Sequence, residues 1–528
     1  MFERALLRAP DRVWIEGETD LNRLAADGDQ AWQGQSVRVE VLPADGQMEV
    51  YLTAVDTPVR RVFLDWRFSL PSGWRFLGDA WERGYGDLEW RGIVPERVMP
   101  WYVLAWDGRS SAGFGVKTNP AALAYWQVPS GGVRLVLDVR CGAQGVRLGE
   151  RRLCLASIVA VDLGEVSPFQ AARSLCARLC SQPRLPDHAV YGANDWYYRY
   201  GRSTHDSILT DARITADLAS NADNRPYMVI DAGWQVGLKD ENDLDSGDRT
   251  HGNPRFPDMP ALAAALKDEG VRPGIWVRPL IAPDGTPASR LLSPAQPAVY
   301  AHLPILDPSL PENLAEAAAD IRRLREWGYQ LIKHDFTTVD ILGRWGFDMG
   351  AQVTGGEWAF ADRSRTTAEI IHNLYAAIRV AAGEEVLVIG CNTIGHLGTG
   401  MFDLQRTGDD TSGKEWERTR KMGVNTLAFR MGQHNTFFFA DADCVGLTNE
   451  IPWSLNAQWL DLLARSGTPL FVSADPAALG PKQKAALAAA YAQAAQPQSS
   501  AEPVDWLDTV CPTRWRFDGQ PRSYDWFS

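Results

Sequence analysis

Between residues 11 and 165 apolar and polar positions alternate in short runs: DRVWIEGE (11–18), SVRVEVLP (36–43), QMEVYLTAV (47–55), RRVFLDWRF (60–68), WYVLAWDG (101–108), SAGFGVKT (111–118), VRLVLDVR (133–140) and RRLCLASIVAV (151–161). Runs of this kind, rich in β-branched and aromatic residues, predict half-buried strands, and Asp107-Gly108 and Gly131-Gly132 supply turns between them. Many short strands at regular spacing predict an antiparallel β-sandwich. One stretch breaks the pattern. Residues 77–92, LGDAWERGYGDLEWRG, hold two Trp, one Tyr and four Gly without clean alternation. They read as a loop that either stays on the sandwich or reaches toward the next domain.

A short helical run at 169–180 and the proline-bearing SQPRLPDH (181–188) mark a boundary near residue 185. The texture then changes to short apolar runs, each followed by helical or loop sequence: YGANDWYY (191–198), RPYMVIDAGW (225–234, followed by a Gly/Asp/Asn-rich loop), VRPGIWVRPL (271–280), YQLIKHDF (329–336), EVLVIGCN (385–392), MFDLQRTGDD (401–410), NTFFFADADCVG (435–446) and TPLFVSAD (468–475). Eight strand-plus-helix units over about 290 residues match a (β/α)8 barrel in number and length. The helical PKQKAALAAAYAQAA closes the series, and the tail holds one hairpin, TRWRFDGQPRSYDWF. The predicted organisation is an α/β chain: a β-sandwich over 1–185, a catalytic (β/α)8 TIM barrel over 186–497, and a short β appendage over 498–528.

Composition narrows the class. With 528 residues, 45% hydrophobic and 23% charged, the chain is long enough for two to four ordinary globular units of about 150 residues each. A net charge of −13 argues against nucleic acid or an anionic membrane as partner, since either needs a basic footprint. A neutral small molecule fits better, and the 21 Trp suit sugar rings, although most indoles are expected in the core. The seven cysteines are scattered and odd in number, and the N-terminal MFERALLRAPDRVW has no long apolar run. Together these favour a reducing, cytoplasmic location. No Cys/His cluster has zinc spacing, so no metal or other cofactor is expected. A homo-oligomer is compatible with everything above.

Polar groups collect at the carboxyl ends of nearly all the proposed strands: Asn194 and Asp195, Asp231 and Trp234, Arg278, Lys333 and Asp335, Cys391 and Asn392, Arg406 with Asp409 and Asp410, Asp441 and Asp443, and Asp475. That edge is the active face of an α/β barrel. Acids on the fourth and sixth strands face each other across the mouth, the arrangement by which glycosidases hold a nucleophile and a proton donor on either side of a glycosidic bond. Asp335, beside Lys333, is expected to stay ionised. If Asp409 and Asp410 also approach in space, their repulsion raises one pKa, as a general acid requires. A structural ion pair at 333 and 335, or a helix cap at 409 and 410, is the plainer alternative. The glycines of GCNTIGHLGTG fit no phosphate-loop spacing and read as a sugar-facing loop.

These residues carry a resemblance. HGNPRFPDMPALAAALKDEGVRPGIW (251–276), VIDAGW, KHD, RTGDD, ADADCV and TPLFVSAD resemble, in the same order, motifs of clan D glycoside hydrolases, the α-galactosidases of families 36 and 27 and their relatives. An N-terminal sandwich resembles family 36. The resemblance implies retaining α-glycoside hydrolysis with Asp335 as nucleophile and, by the four-residue step from Arg406, Asp410 as acid/base. It implies substrate contacts from Asp195, Asp231, Trp234, Trp276, Arg278, Lys333, His334, Cys391, Asn392 and Arg406. Three positions depart from the pattern: Ala232 stands where the α-galactosidases carry a second Asp that binds galactose hydroxyls, His334 replaces an aromatic or small residue, and Arg278 replaces an acid. The rival readings are a transglycosylase of the raffinose-synthase kind, which uses the same covalent intermediate but excludes water, and a non-catalytic carbohydrate-binding barrel.

Overall fold

The structure, a computed structural model, describes residues 1–236, 247–297 and 303–528. Most of the Gly/Asp/Asn-rich stretch after Trp234 therefore lies outside the described residues. The alternating N-terminal runs become two antiparallel sheets, one of six strands and one of eight. Burial follows the sequence period, strictly one in, one out, along Arg12–Glu16 and Gln47–Ala54. Each sheet therefore turns one apolar face inward. Sequence alternation misses the strand Leu123–Gln127, because four of its five residues are buried and it has no polar face to alternate with.

Beyond the helix Pro168–Leu179 lies a parallel sheet in the order expected of a barrel: Tyr191–Asn194, Tyr227–Ile230, Arg272–Val277, Leu331–His334, Leu387–Gly390, Leu404–Arg406 and Phe439–Asp441, with Leu470–Ala474 pairing back onto the first. The seventh stave is broken. Phe439–Asp441 pairs with the sixth, while Cys444–Leu447 pairs with the eighth, so the ring closes through the two residues between them. Asp443 adopts φ +69° at that break. The strands are buried along almost their whole length, as parallel strands covered on both faces must be, which is why they read as apolar runs.

Helices His205–Leu218, Met259–Asp268, Pro311–Glu326, Thr367–Ala382, Trp453–Arg465 and Pro481–Ala494 form much of the outer layer. After the fifth strand only the turn Gly395–Gly398 is helical, and the sandwich docks there: His396 stacks on Trp101 at 4.7 Å, and its carbonyl accepts from the Asn119 amide at 3.0 Å. The loop read as sugar-facing is thus an interdomain contact beyond Asn392. The indoles go largely to the core. Trp66, Trp101, Trp126, Trp234, Trp358, Trp459, Trp515 and Trp526 are each less than 2% exposed. Burying one indole removes roughly 200 Å² from water, about 5 kcal/mol of transfer free energy before entropic costs. The tail forms the hairpin Arg514–Phe517 with Gln520–Ser523, joined by Glu502–Pro503. The seven cysteines form no disulfide. Among the described residues no helix is long and apolar enough to cross a membrane.

Candidate active site

Side chains on a strand point alternately to its two faces, so Lys333 and Asp335 share one side and His334 takes the other. The Lys333 ammonium reaches across the barrel interior to Asp231 Oδ2 at 2.8 Å. Burial opposes its charge, but the Asp231 carboxylate holds its pKa well above the ordinary value. Asp231 is fixed from three sides: Oδ2 also accepts from Asn194 Nδ2 at 2.7 Å, and Oδ1 accepts from the Ala232 amide at 2.9 Å.

Asp335 is almost fully buried, yet it accepts three N–H donors: Trp276 Nε1 at 3.0 Å, the Phe336 amide at 2.7 Å and the Asn392 amide at 3.1 Å. The chain reaches this geometry by turning sharply after the carboxylate, with Phe336 at φ +67°, a left-handed conformation that costs a non-glycine residue about 1–2 kcal/mol. Burial pushes the Asp335 pKa up. Lys333, Arg83 and the Trp276 hydrogen bond outweigh it, leaving the carboxyl below its ordinary value. That agrees with the expectation of an ionised group.

The sixth strand delivers Arg406. Its Nη2 lies 3.1 Å from Asp410 Oδ1 and 3.0 Å from Asp443 Oδ2, and its Nη1 donates to Cys391 Sγ at 3.4 Å. Asp443 also accepts from the Tyr197 hydroxyl and the Thr411 amide. Thr411 is thereby committed to Asp443, and neither Asp409 nor Asp410 caps the helix that follows. The Asp410 side chain is 38% exposed, open to the mouth, while its partner Arg406 is 1% exposed. The Asp410 pKa moves opposite to the expected direction. Burial raises it, but Arg406, Arg83 and Lys333 together hold it well below the usual carboxylate range. The expected repulsion from Asp409 is cancelled because Asp409 has cations of its own, Arg83 at 3.2 Å and Arg418 at 2.9 Å.

Arg83 belongs to the irregular loop of the sandwich, which does reach the barrel. Gly84 and Gly408 form a parallel bridge, with the Gly84 amide donating to the Thr407 carbonyl at 2.8 Å. A Cβ on Gly408 would meet the Met422 carbonyl oxygen at 1.9 Å, so the helical segment Thr419–Asn425 packs this close only against a glycine. Arg430 anchors the base of the loop through Asp79 at 2.8 Å, and Glu82 binds Asn392 and the Gly346 amide. Burial raises the Glu82 pKa although Arg83 opposes it. Within the loop only its aromatic and glycine content hinted at this role.

Several residues expected to touch substrate do not face it. His334 is fully buried on the helix side of its strand, 5.6 Å from the rings of Tyr375 and Phe402 and with neither nitrogen hydrogen-bonded to a described residue. Burial lowers its pKa to about 3. Trp234 is no sugar platform: it is fully buried, donates to the Trp276 carbonyl at 2.9 Å and packs edge-on against Trp327. Arg278 is buried in a two-point ion pair with Asp340, at 3.0 and 2.6 Å, and lies over the Phe336 ring. Asp195 is buried behind the pocket, accepting from Ser203 and from the Asp231 amide at 2.7 Å. Burial and Asp231 push its pKa up to about 7. Asn392 is fully buried and bridges Asp335 to Glu82. Asp231, Trp276, Lys333, Asp335, Cys391, Arg406 and Asp410 are brought together. Asp441, whose pKa burial lifts to about 6, and Asp443, both read from the sequence as strand-end acids, join them, and the structure adds Tyr197 and Arg83.

No model of a known protein family matches the chain. Solved structures do. The α-galactosidase of Thermus thermophilus in complex with p-nitrophenyl α-D-galactopyranoside aligns with a TM-score of 0.61 at 18% identity, covering 92% of this chain and 97% of that one. The family 36 α-galactosidase AgaA of Geobacillus stearothermophilus aligns at 0.58 and 16% identity over 96% of this chain and 76% of its own. That of Lactobacillus brevis aligns at 0.56 and 13%, over 91% and 70%. This chain therefore has the fold of the family 36 α-galactosidases, a (β/α)8 barrel preceded by a β-sandwich.

Proposed function

We propose that the chain is a retaining α-glycoside hydrolase acting on a galactose-like α-glycoside, with Asp335 as nucleophile and Asp410 as acid/base. The observation that carries this reading is the environment of Asp335: a buried carboxylate at a strand end, kept ionised by Lys333 and Arg83 and aimed by three N–H donors. A nucleophile requires both properties. Asp410 lies near enough for its charge to oppose that of Asp335, and its side chain opens to the mouth, where a leaving group or a water would sit. A barrel that only bound sugar would have no use for a second acid there.

Asp231, Lys333, Cys391 and Arg406 form the polar base of the sugar site, and the fold neighbours solved with α-galactosides support a galactose-like ring. Ala232 removes a carboxylate expected to bind its hydroxyls, so the preferred sugar is set by the remaining groups. The test is a panel of p-nitrophenyl α-glycosides assayed with wild-type protein and Asp335→Asn. Turnover of one or more α-glycosides, abolished in the variant, supports the reading. No turnover of any overturns it.

A further inference from the structure

We infer that Glu82, a carboxylate of the sandwich, is a positioning residue for the nucleophile: it braces two of the three N–H groups that orient Asp335, so the barrel holds its reactive geometry only with the sandwich loop docked. The inference rests on the reading of Asp335 above and adds to that site a residue from the other domain.

Glu82 is buried, and its two oxygens tie down two different segments of the barrel. Oε2 accepts from Asn392 Nδ2, at the end of the fifth barrel strand. Oε1 accepts from the Gly346 amide at 2.8 Å, in the segment that follows the helix Thr337–Leu342, and from the Tyr85 hydroxyl of its own loop. The residue is fixed in its turn, because Arg430 donates to its backbone carbonyl while paired with Asp79 at 2.8 Å. The contact at Gly346 has no slack. A Cβ there would meet Glu82 Cγ at 2.7 Å and Tyr85 Cε2 at 2.9 Å.

Both ties lead to Asp335 Oδ1. The first is direct: the Asn392 amide donates to Oδ1 at 3.1 Å, and the same side chain that meets Glu82 accepts from the Val339 amide at 3.1 Å, so Asn392 is a strut between the sandwich loop and the turn after the nucleophile. The second runs through packing. Trp345, beside Gly346, packs on Phe336 at 5.9 Å, and the Phe336 amide donates to the same Oδ1 at 2.7 Å from its left-handed conformation. A residue in that conformation keeps it only where its surroundings over-determine it. The third donor, Trp276, binds Oδ2 from the third barrel strand and owes nothing to Glu82.

Losing the Glu82 side chain has two opposite effects on Asp335. N–H donors favour its ionised form, so amides that drift away raise its pKa and move the acid limb of kcat/KM to higher pH. Removing a negative charge does the reverse. The other groups whose charge acts on Asp335 or answers to it, Lys333, Arg83, Asp410, Cys391 and His334, all remain, and Arg83, relieved of its acidic neighbour, favours the carboxylate more. The direction of the shift therefore separates a positioning role from a charge felt through space.

The test is kcat, KM and the pH profile of kcat/KM on the p-nitrophenyl α-glycoside best accepted in the panel, for wild type, Glu82→Ala, Glu82→Gln and Arg151→Ala. Arg151 also joins the sandwich to the barrel, through Glu369 at 2.6 Å, but leads to no donor of Asp335, so it controls for weakened docking. Glu82→Ala should lower kcat about 10- to 100-fold with KM within about twofold, and move the acid limb up by about one pH unit. Glu82→Gln, whose one carbonyl oxygen can serve Asn392 or Gly346 but not both, should fall between Ala and wild type, and Arg151→Ala should leave the acid limb in place. An acid limb that stays or moves down in Glu82→Ala, or that moves up equally in Arg151→Ala, overturns the inference while leaving the glycosidase reading intact. If Glu82→Ala does not fold, the direction of the acid limb in Glu82→Gln decides. Wild type that cleaves no α-glycoside overturns the reading and the inference together.

Discussion

Trp276 Nε1 donates to Asp335 Oδ2 at 3.0 Å, tying the third barrel strand to the carboxylate at the end of the fourth. The bond favours the ionised form, so its loss must raise the Asp335 pKa. Activity needs the carboxylate, and the acid limb of kcat/KM should therefore move to higher pH in Trp276→Phe. A hydrogen bond to a charged group is worth about 1.5–3 kcal/mol, which corresponds to a fall of roughly 10- to 100-fold in kcat/KM. An unmoved acid limb would remove Trp276 from this role.

Asp335→Asn should abolish turnover while circular dichroism and Tm stay near wild type. The amide is nearly isosteric but cannot form the glycosyl ester. A loss of less than roughly a hundredfold would show that another group attacks the sugar.

Ala232 donates its amide to Asp231 but offers no side-chain oxygen to a sugar hydroxyl. Wild type is therefore expected to be slow on p-nitrophenyl α-galactoside relative to its own substrate, and Ala232→Asp should raise kcat/KM on it. The gain is bounded by a charge-assisted hydrogen bond, about tenfold to a hundredfold. Robust wild-type turnover with a neutral or harmful Ala232→Asp would mean that galactose is held by other groups.

His334 is buried as the neutral form, with a pKa of about 3 against 6.5 unfolded. Above pH 6.5 both states are neutral and the histidine is silent. Below it the unfolded chain binds a proton that the folded chain refuses, so stability is lost progressively from pH 6.5 down to about 3. His334→Leu should make Tm less sensitive to acid over that window and leave KM unchanged. A large rise in KM would return His334 to the substrate site.

The fold and the gathering of polar groups around Asp335 were legible because both depend on local order. Buried parallel strands are apolar runs, and a two-residue step along a strand puts Lys333 and Asp335 on one face. The same alternation sends His334 outward, where the sequence reading had kept it beside the nucleophile. Trp234 and Arg278 could not be sorted that way. Whether an indole or a guanidinium meets sugar or core depends on partners such as the Trp276 carbonyl and Asp340, 42 and 62 residues away in sequence. The direction of the Asp410 pKa was the least legible feature. The neighbouring acid and Arg406 were both visible, but not that Arg406 lies 3.1 Å from Asp410, nor that Arg83 joins it from a sandwich loop whose docking at Gly408 has no local signature.

A double displacement through Asp335 requires carboxyl groups about 5–5.5 Å apart and leaves the anomeric configuration unchanged. Proton NMR of the first-formed sugar, recorded before mutarotation during cleavage of an accepted p-nitrophenyl α-glycoside, tests it most directly. With Asp335 as nucleophile the α-anomer is expected first and the β-anomer only later. Initial release of the β-anomer would contradict it.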